Sequence, residues 1–313
     1  MAHLPRTFGR LGRWLVPLLA LQVRVLHGKA RAVVFTFPTH HGLAKWFGGT
    51  PSYYYASDDY ACDYGFDPAR VVGWERDLVR SVKRVFVVSN ALGDLLSARH
   101  QVPREKFTTV PNGMPASLIP LAAPEHPATA PAPIPAHFRP LVGVLGTINK
   151  RLRLDWVLKA VEALPSLCWA FVGPVGEMDD TTAAAMAVLQ DHPRCCFTGV
   201  QPYDRLFEFA ASFDVAVIPL GPDSINATCS PVRFFTQLPF GQPILATAGC
   251  KQLEEAEFSS VAHICPTPED LIQGLARIEK AGFRDGLAER RRQIASENTW
   301  QRRAQTILHH IGS

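Results

Sequence analysis

Six short apolar runs in the C-terminal half of the chain alternate with segments of helical periodicity. The runs cover residues 141–145, 168–172, 195–198, 215–218, 244–247 and 262–265. Between the first two runs, apolar residues recur at steps of three and four positions, which places them on the core-facing side of a helix. Further helices are predicted over residues 203–213, 232–238, 268–280, 284–296 and 299–311. This alternation predicts a doubly wound domain, in which helices cover a parallel sheet.

The N-terminal half repeats this α/β pattern on a smaller scale. Strand-like runs occupy residues 33–37, 53–56, 85–88 and 107–110, and helices are predicted over 68–82 and 92–99. Residues 115–140 are rich in Pro and Ala and have no periodicity, as in an extended connector. We therefore predict an N-terminal domain over 1–117, a linker over 118–139, a second domain over 140–298 and a returning helix over 299–313.

The composition is that of an ordinary globular protein of two domains. The chain has 313 residues, of which 47% are apolar, so each domain can bury a core. Its seven cysteines include no Cys-x-x-Cys pair, which favours a reducing, cytoplasmic compartment. The modest net charge of +4 does not indicate a nucleic-acid partner.

The leading segment is cationic and partly apolar. Its apolar stretch over residues 14–26 is interrupted by Pro17 and Arg24 and is shorter than the ~20 residues that span a bilayer. Seven cations precede the first acidic residue, Asp58: Arg6, Arg10, Arg13, Arg24, Lys29, Arg31 and Lys45. Two interpretations stay open. The segment is either a peripheral surface for anionic lipid at the inner face of the cytoplasmic membrane or the solvated face of an ordinary helix.

Glycine-containing turns follow the first two strands of the second domain, where open parallel sheets bind their ligands. The first turn contains Gly146 and Thr147 and leads into Lys150 and Arg151. Glycine lets the backbone approach a ligand closely, and the cations beside it suit a diphosphate. Surface charges at a helix start are the structural alternative. Gly173 in the second turn fits either a ligand-binding loop or a tight bend.

A third candidate site precedes the predicted helix over residues 232–238. Ser230 is a typical N-cap residue, and Pro231 fits the first helical position. The amino end of a helix attracts anions, and Arg233 in the first turn can reach a phosphate with its planar fork. A capped helix with an exposed arginine remains the structural alternative.

Five segments in order along the chain resemble GT-B glycosyltransferases related to family GT4. Residues 230–247, SPVRFFTQLPFGQPILAT, are similar to the family's donor-nucleotide motif. Further family segments resemble RVFVVSNAL at 84–92, VPNGM at 110–114, GVLGTINKRLRLD at 143–155 and FDVAVIPL at 213–220. The similarity covers residues 33–311 and is greatest to the branch that acts in bacterial cell-surface polysaccharide synthesis.

The resemblance implies a GT-B fold, in which two Rossmann-like, doubly wound domains face a cleft. It implies that Gly146, Arg151 and Arg233 lie near the donor diphosphate and that Ser230 helps to hold it. The turn that ends at Tyr203 corresponds to the loop beside the nucleobase. The final helix corresponds to the one that returns to the N-terminal domain.

The chain departs from the family's pattern at two places. Thr236 stands where the family has a glutamate that binds the ribose hydroxyls, and Thr228 replaces a partner glutamate eight residues earlier. A threonine hydroxyl has less acceptor capacity than a carboxylate, which puts donor affinity and identity in question. In addition, about a quarter of the family's N-terminal domain has no counterpart. A truncated product, a minimal domain and one part of a larger assembly all remain open.

Polar residues also follow the first two strands of the N-terminal domain. His40 follows the first strand and Asp58 the second, where both could position an acceptor hydroxyl. Residues of these types also serve as turn-formers and caps. Asp58, Asp59 and Asp63 could in principle bind a metal, but GT-B enzymes generally rely on helix dipoles and basic residues. We therefore expect no essential metal and no cofactor.

These features predict a glycosyltransferase that uses a nucleotide diphospho-sugar and a glycan or lipid-linked acceptor, with retention by family resemblance. The predicted catalytic residues are Arg151, Arg233, Asp58 and His40. The predicted nucleotide-sugar-binding residues are Gly146, Thr147, Lys150, Gly173, Tyr203, Thr228, Ser230, Pro231 and Thr236. Two alternatives stay open. One is a catalytically weakened binding or scaffold subunit, which the threonine substitutions favour, and the other is a GT-B-type nucleotide-sugar epimerase.

Overall fold

The computed structural model describes residues 12–27, 30–47, 49–62, 65, 67–119 and 127–312. It divides into two compact units. The first comprises Met1–Pro111 together with Gln305–Ser313, and the second comprises Asn112–Ala304. Asp63 and the cations Arg6, Arg10 and Lys29 lie outside the described residues.

The first unit contains a four-stranded, all-parallel sheet. Its strands are β1 (Val33–Phe35), β2 (Ser52–Ala56), β3 (Arg84–Val87) and β4 (Phe107–Thr109), paired in the order β1-β2-β3-β4. Its helices are α1 (Gly12–His27), α2 (Pro68–Ser81) and α3 (Asn90–His100), and a 3-10 segment covers Pro38–Phe47. The predicted strands and the helices after them are confirmed, whereas the 3-10 segment has no counterpart among the predicted elements. None of the described helices is both long and apolar enough to span a membrane.

Helix starts in the first unit follow their capping residues. Asp67 caps α2, where its Oδ1 accepts a hydrogen bond from the Ala69 backbone at 3.0 Å. Ser89 caps α3, where its Oγ accepts from the Leu92 backbone at 3.0 Å. Each bond satisfies a backbone donor that the first helical turn leaves unpaired. The caps therefore fix where each helix leaves the loop after its strand.

A buried polar network joins α2 and α3 to the loop after β2. Glu75 accepts a hydrogen bond from the Tyr54 hydroxyl at 2.8 Å and lies 3.0 Å from His100 Nε2. Arg99 donates two hydrogen bonds to Asp59, at 2.6 and 2.7 Å. Burial opposes ionisation of Asp59, but Arg99 reverses this effect and lowers the pKa of that carboxyl. Asp59 is therefore committed to an ion pair with Arg99.

The second unit contains a six-stranded parallel sheet. Its strands are β5 (Leu141–Leu145), β6 (Cys168–Val172), β7 (Cys195–Gly199), β8 (Val215–Ile218), β9 (Ile244–Thr247) and β10 (His263–Cys265). They pair in the order β10-β9-β8-β5-β6-β7. Strands β6 and β7 extend the sheet on one side of β5, and strands β8, β9 and β10 extend it on the other side. The strand order therefore reverses between β5 and β8, where loops diverge and a doubly wound sheet opens toward ligands.

Ten helices accompany the strands from β5 onward in the described chain. They are α4 (Leu154–Ala163), α5 (Asp180–Asp191), α6 (Leu206–Ala211), α7 (Ser224–Thr228), α8 (Val232–Gln237), α9 (Lys251–Glu254), α10 (Ala256–Ser259), α11 (Pro268–Lys280), α12 (Ala288–Glu297) and α13 (Trp300–Gly312). All six predicted strands and the predicted helices are confirmed, with small shifts at their ends. Helices α5, α7, α9 and α10 have no predicted counterpart.

The core of the second unit surrounds β5, whose five residues are all buried. A Cβ on Gly143 would lie 1.9 Å from Cδ2 of Phe213, so only glycine leaves room for that ring. Residues 127–139 also contribute to this core through Ile134 and Phe138, which are buried. Arg139 fastens the segment by donating to Asp214 Oδ2 at 3.0 Å. The described part of the Pro- and Ala-rich segment is thus packed onto the sheet, which its lack of periodicity does not predict.

A buried arginine anchors α12 inside the second unit. The Arg291 side chain donates to the Gly241 carbonyl at 3.2 Å and to the Val261 carbonyl at 2.8 Å. Its guanidinium also pairs with Asp285, which in turn lies 2.8 Å from His263 Nε2. Burial opposes ionisation of Asp285, but the pairing with Arg291 and His263 holds the pKa of that carboxyl well below its usual range.

The end of α13 packs within the first unit. Ile307 and Ile311 contact a small apolar cluster of Tyr53, Phe86 and Val110. The Tyr53 hydroxyl also donates to the backbone carbonyl of His310 at 3.3 Å. Residues 305–313 therefore belong to the first unit although they follow the second in sequence.

Candidate functional site

The loop after β5 is fastened to the loop after β6 at the carboxyl edge of the second sheet. The Gly146 backbone donates to the Val172 carbonyl at 2.8 Å, and Ile148 donates to the Pro174 carbonyl at 2.9 Å. Gly176 returns a hydrogen bond to the Ile148 carbonyl at 2.9 Å. The two loops therefore run side by side, at the edge where such sheets bind ligands.

Two glycines make this close approach possible. Gly146 has φ +96° and Gly173 has φ +145°, both in the region that side chains disfavour. A Cβ on Gly173 would lie 2.3 Å from the Gly146 carbonyl oxygen. A Cβ on Gly146 would lie 3.1 Å from Nη2 of Arg233. The predicted residues Gly146, Gly173 and Arg233 are therefore neighbours.

Arg233 lies over the loop after β5 with part of its hydrogen-bonding capacity unused. Its Nη2 donates to the Thr147 carbonyl at 3.4 Å, whereas its Nη1 is buried without a hydrogen-bond partner. Burial, together with the nearby charge of Arg151, lowers the pKa of Arg233 to about 10. Arg233 remains a cation at neutral pH, held in a place where its charge is poorly compensated.

Arg151 reaches the same region from the loop after β5. Its Nε donates to Asn226 Oδ1 at 2.9 Å, and its backbone carbonyl accepts from the Gly221 backbone at 2.7 Å. Among the described residues, neither Arg151 nor Arg233 pairs with a carboxylate. Two neighbouring guanidinium groups without a carboxylate partner have the charge and the donors that an anion requires. We call these two residues the arginine pair.

Asn226 is a functional candidate that the sequence analysis misses. It is fully buried, and its Nδ2 lies 2.8 Å from the Arg151 carbonyl, 2.9 Å from the Gly221 carbonyl and 2.7 Å from Asp223 Oδ2. Its backbone donates to Asp223 Oδ1 at 2.6 Å, which caps α7. The sequence signal is an Asp three residues before an Asn, typical of a capped first turn. Asn226 fixes both the backbone and the guanidinium of Arg151.

The N-cap assignment of Ser230 is wrong. Helix α8 begins at Val232, with Pro231 at the capping position and no side-chain capping bond. The Ser230 hydroxyl instead accepts a hydrogen bond from the Asn112 backbone at 2.9 Å. Asn112 Nδ2 also donates to the Ser230 carbonyl at 2.6 Å. Ser230 therefore joins the start of the second unit to the turn before α8.

Thr236 and Thr228 form hydrogen bonds within their own helices. The Thr236 hydroxyl donates to the Val232 carbonyl at 2.9 Å, and Thr236 is buried. The Thr228 hydroxyl lies 3.1 Å from the Ser224 carbonyl and is buried as well. Their hydroxyls satisfy helix carbonyls, as threonine commonly does inside helices.

Lys150 lies in the loop after β5, and Tyr203 lies in the loop after β7. Lys150 Nζ lies 3.0 Å from Glu177 Oε2, so a carboxylate already balances its charge. Tyr203 is half exposed and contacts the edge of the Phe207 ring, at a centroid distance of 5.7 Å. Tyr203 therefore offers an aromatic surface after β7, whereas Lys150 is not part of the uncompensated charge.

His40 and Asp58 belong to the first unit, in the loops after two neighbouring strands. The Tyr60 hydroxyl donates to the Thr36 carbonyl at 3.1 Å and lies 2.7 Å from Ser57 Oγ, which joins the two loops. Asp58 Oδ1 accepts from the Asp59 backbone at 3.0 Å. The His40 backbone donates to the Phe37 carbonyl at 3.1 Å. Within the described residues, no three metal-binding side chains gather at one point.

The two parallel-sheet units match known structures. Anabaena HepE, solved in complex with UDP, is 14% identical, with a TM-score of 0.73 over 98% of this chain and 84% of that protein. Sucrose-phosphate synthase from Thermosynechococcus elongatus is 15% identical, with a TM-score of 0.72 over 98% and 79% of the respective chains. The chain thus has the α/β fold of GT-B glycosyltransferases.

A third match is to TarM of S. aureus, at 13% identity and a TM-score of 0.67. The alignment covers 95% of this chain, which spans 58% of the length of TarM. No protein-family model matches the sequence. No curated protein sequence matches it either.

Proposed function

We propose that this protein is a GT4-type glycosyltransferase that binds the diphosphate of a nucleotide sugar between Arg151 and Arg233. The observation that carries the proposal is the uncompensated arginine pair beside the glycines at the carboxyl edge of the second sheet. A diphosphate supplies the counter-ion that the protein does not, and it can use the unpartnered Nη1 of Arg233.

The same charges serve the reaction as well as binding. As the bond between the sugar and the diphosphate breaks, negative charge grows on the leaving oxygen. Positive groups that are already fixed in place stabilise that charge without having to reorganise. Asn226 holds the Arg151 side chain in place, and the Thr147 carbonyl holds that of Arg233. Retention of anomeric configuration is the outcome expected from the family resemblance.

The acceptor side of the proposal rests on the first unit. His40 and Asp58 follow adjacent parallel strands, and the Tyr60 hydroxyl joins their loops. We propose that His40 and Asp58 orient the acceptor hydroxyl of a glycan or lipid-linked saccharide. Asp59 is not assigned such a role because Arg99 already occupies both of its carboxylate oxygens.

The assay for this function measures release of nucleoside diphosphate from UDP- and GDP-sugars, with and without glycan and lipid-linked acceptors. Arg233→Ala should lower turnover by about 10²–10³, the usual cost of removing one charge-stabilising donor. Arg205→Ala is the matched control, because Arg205 pairs with the exposed Glu208 on the same unit.

The possible outcomes distinguish the glycosyltransferase from the two alternative functions. Wild-type turnover in Arg233→Ala would refute the assignment of the arginine pair. Conversion of the sugar nucleotide without any acceptor would identify an epimerase instead. In a calorimetric titration, binding of neither UDP nor GDP would favour a scaffold subunit, an interpretation supported by the helix-bonded hydroxyls of Thr228 and Thr236.

We also propose that the enzyme works at an anionic membrane surface. Helix α1 exposes Leu18, Leu21, Val25 and Leu26, each between 58% and 74% accessible. Their spacing of three, four and one residues places them on one face of the helix. Arg31 and Lys45 are also exposed, and no acidic residue precedes Asp58 in the sequence. An apolar stripe in a cationic stretch of the chain suits headgroups of anionic lipid.

Sedimentation with vesicles tests the membrane proposal. Wild-type protein should sediment with anionic vesicles and much less with neutral ones. The double substitution Leu21→Gln and Val25→Gln should abolish the difference. Val188→Gln is the matched control, because Val188 is 49% exposed on α5 of the second unit. Equal binding to both vesicle types, or full binding by the double variant, would overturn the proposal.

A further inference from the structure

Two cysteine thiols lie next to one another behind the turn that leads to Arg233. Cys229 follows α7 and Cys250 precedes α9, after β9. Their sulfur atoms are 3.8 Å apart, and Cys250 Sγ also donates to the Cys229 carbonyl at 3.5 Å. The two residues are 9% and 1% exposed. Such burial excludes a bulky oxidant.

The pair differs from two other thiols of the second unit, Cys195 and Cys265. Burial raises the pKa of Cys195 and of Cys265 to about 12, which keeps both as unreactive thiols. At Cys250 the hydrogen bond from Cys229 outweighs burial and lowers the pKa of the thiol. The thiolate is the form that attacks an oxidant. A lowered thiol pKa and a partner sulfur at 3.8 Å therefore occur at the same position.

We propose that Cys229 and Cys250 form an oxidisable dithiol that closes to a disulfide on reaction with a hydroperoxide and thereby weakens nucleotide-sugar binding. The first part stands on the sulfur geometry. The second part rests on the proposed function of the arginine pair. A disulfide needs the sulfurs about 2.05 Å apart, so closure draws them together by about 1.7 Å.

The chemistry balances with one hydroperoxide per disulfide. The Cys250 thiolate attacks the peroxide oxygen, the O–O bond breaks, and the departing oxygen leaves as water or alcohol after taking a proton. The Cys229 sulfur then attacks the resulting sulfenic acid, where the S–S bond forms, the S–O bond breaks and water leaves. Both sulfurs are oxidised and the peroxide is reduced. A dithiol reductant reverses the change by thiol–disulfide exchange.

Closure acts on the arginine pair because of where Cys229 lies. Ser230 follows it directly, and Arg233 is close enough for a charge on Cys229 to raise the arginine's pKa. Drawing Cys229 toward Cys250 therefore displaces the turn that carries Arg233. A misplacement of about 1 Å can cost a binding or catalytic site as much as 10²-fold. We expect the oxidised protein to bind UDP at least tenfold more weakly than the reduced protein.

Peptide mapping of the intact 313-residue chain tests whether the disulfide forms. Reduced protein is treated with hydrogen peroxide, alkylated, digested without reductant and analysed by mass spectrometry. The expected product is a crosslinked peptide pair containing Cys229 and Cys250, which disappears on treatment with dithiothreitol. Cys195→Ser, the control variant, should form the same crosslink. Alkylation of both cysteines, or overoxidation of either without a crosslink, would overturn the proposal.

Calorimetric titration with UDP tests the second part on the same preparations. The expected result is a loss of affinity on oxidation that dithiothreitol restores and that Cys250→Ser does not show. A crosslink without any change in UDP affinity would refute the regulatory effect, but the proposal that Cys229 and Cys250 form a disulfide would stand. A crosslink in a protein that binds neither UDP nor GDP even when reduced would instead count against the proposed function. The mapping of the wild-type chain needs no variant, so misfolding of Cys250→Ser cannot obscure it.

Discussion

Replacing Asn226 with alanine tests whether Arg151 must be held in place by Asn226, because the substitution leaves Arg151 itself unchanged. The Asn226 side chain has four polar neighbours within 2.9 Å, namely two carbonyls, the Asp223 carboxylate and the Arg151 guanidinium. Its amide carries only two protons, so about three of these hydrogen bonds form at once. One neutral and two charge-assisted bonds are together worth about 3.5–7.5 kcal/mol. We expect Asn226→Ala to lower the free energy of unfolding by that amount.

The same variant should also lose affinity for UDP, because Arg151 is no longer oriented. A hydrogen bond between a charged donor and phosphate contributes about 1.5–3 kcal/mol, which corresponds to a loss of about 10- to 100-fold. Urea unfolding measures the first effect. Calorimetric titration with UDP, at a temperature where the variant stays folded, measures the second.

Asn298→Ala is the matched control for this experiment. Asn298 is also a buried asparagine of the second unit, and its Nδ2 donates to the Ile294 carbonyl at 2.8 Å. We expect the control to lose stability and keep its affinity for UDP. If Asn226→Ala is destabilised but binds UDP within twofold of wild type, Arg151 does not bind the diphosphate as proposed.

Three further predictions follow from individual contacts. Gly146→Ala should lower the free energy of unfolding by about 1–2 kcal/mol, because the residue has a φ of +96°, and denaturation would measure this loss. The added Cβ should also displace Arg233 and weaken UDP binding, and unchanged affinity in a titration would contradict the contact between Gly146 and Arg233. Thr236→Val should change UDP affinity less than twofold, because the hydroxyl already donates to the Val232 carbonyl, and a tenfold loss would return Thr236 to the ribose site. Asp285→Asn should cost about 3–5 kcal/mol at pH 7. Because the folded-state pKa of Asp285 is depressed, that difference in unfolding free energy should shrink as the pH falls below about 4, and a constant difference would refute the ion pair.

Local sequence pattern predicts the strands well for a physical reason. Runs such as 141–145 and 215–218 are buried on both faces of a parallel sheet, so every residue is apolar and the run stands out between turns. Helix α5 is not predicted because four of its twelve residues are alanines spread around the helix, although Thr182, Ala185, Met186 and Leu189 form its buried face. The apolar face of α5 is therefore weakly marked in the sequence, and tertiary packing determines which side of the helix is buried.

The sequence predicts those residues of the candidate site that belong to a recognisable local turn or motif. Gly146 and Arg233 are recognisable from turn and motif, and the structure brings them together. The link from Asn226 to Arg151 spans 75 residues, and nothing near either residue in sequence indicates it. Ser230 fails as a predicted cap because Asn112, 118 residues earlier, takes its hydroxyl. Capping preference is a local tendency, and a distant backbone donor overrides it.

A double-mutant cycle on the arginine pair tests the central claim most directly. The affinities of wild type, Arg151→Ala, Arg233→Ala and the double variant are measured for UDP and for uridine, which lacks the diphosphate. The account predicts that each single substitution weakens UDP binding by about 10- to 100-fold, that the two effects are not additive, and that uridine binding is unchanged. UDP binding at wild-type strength in both single variants, or equal losses for UDP and uridine, would contradict it.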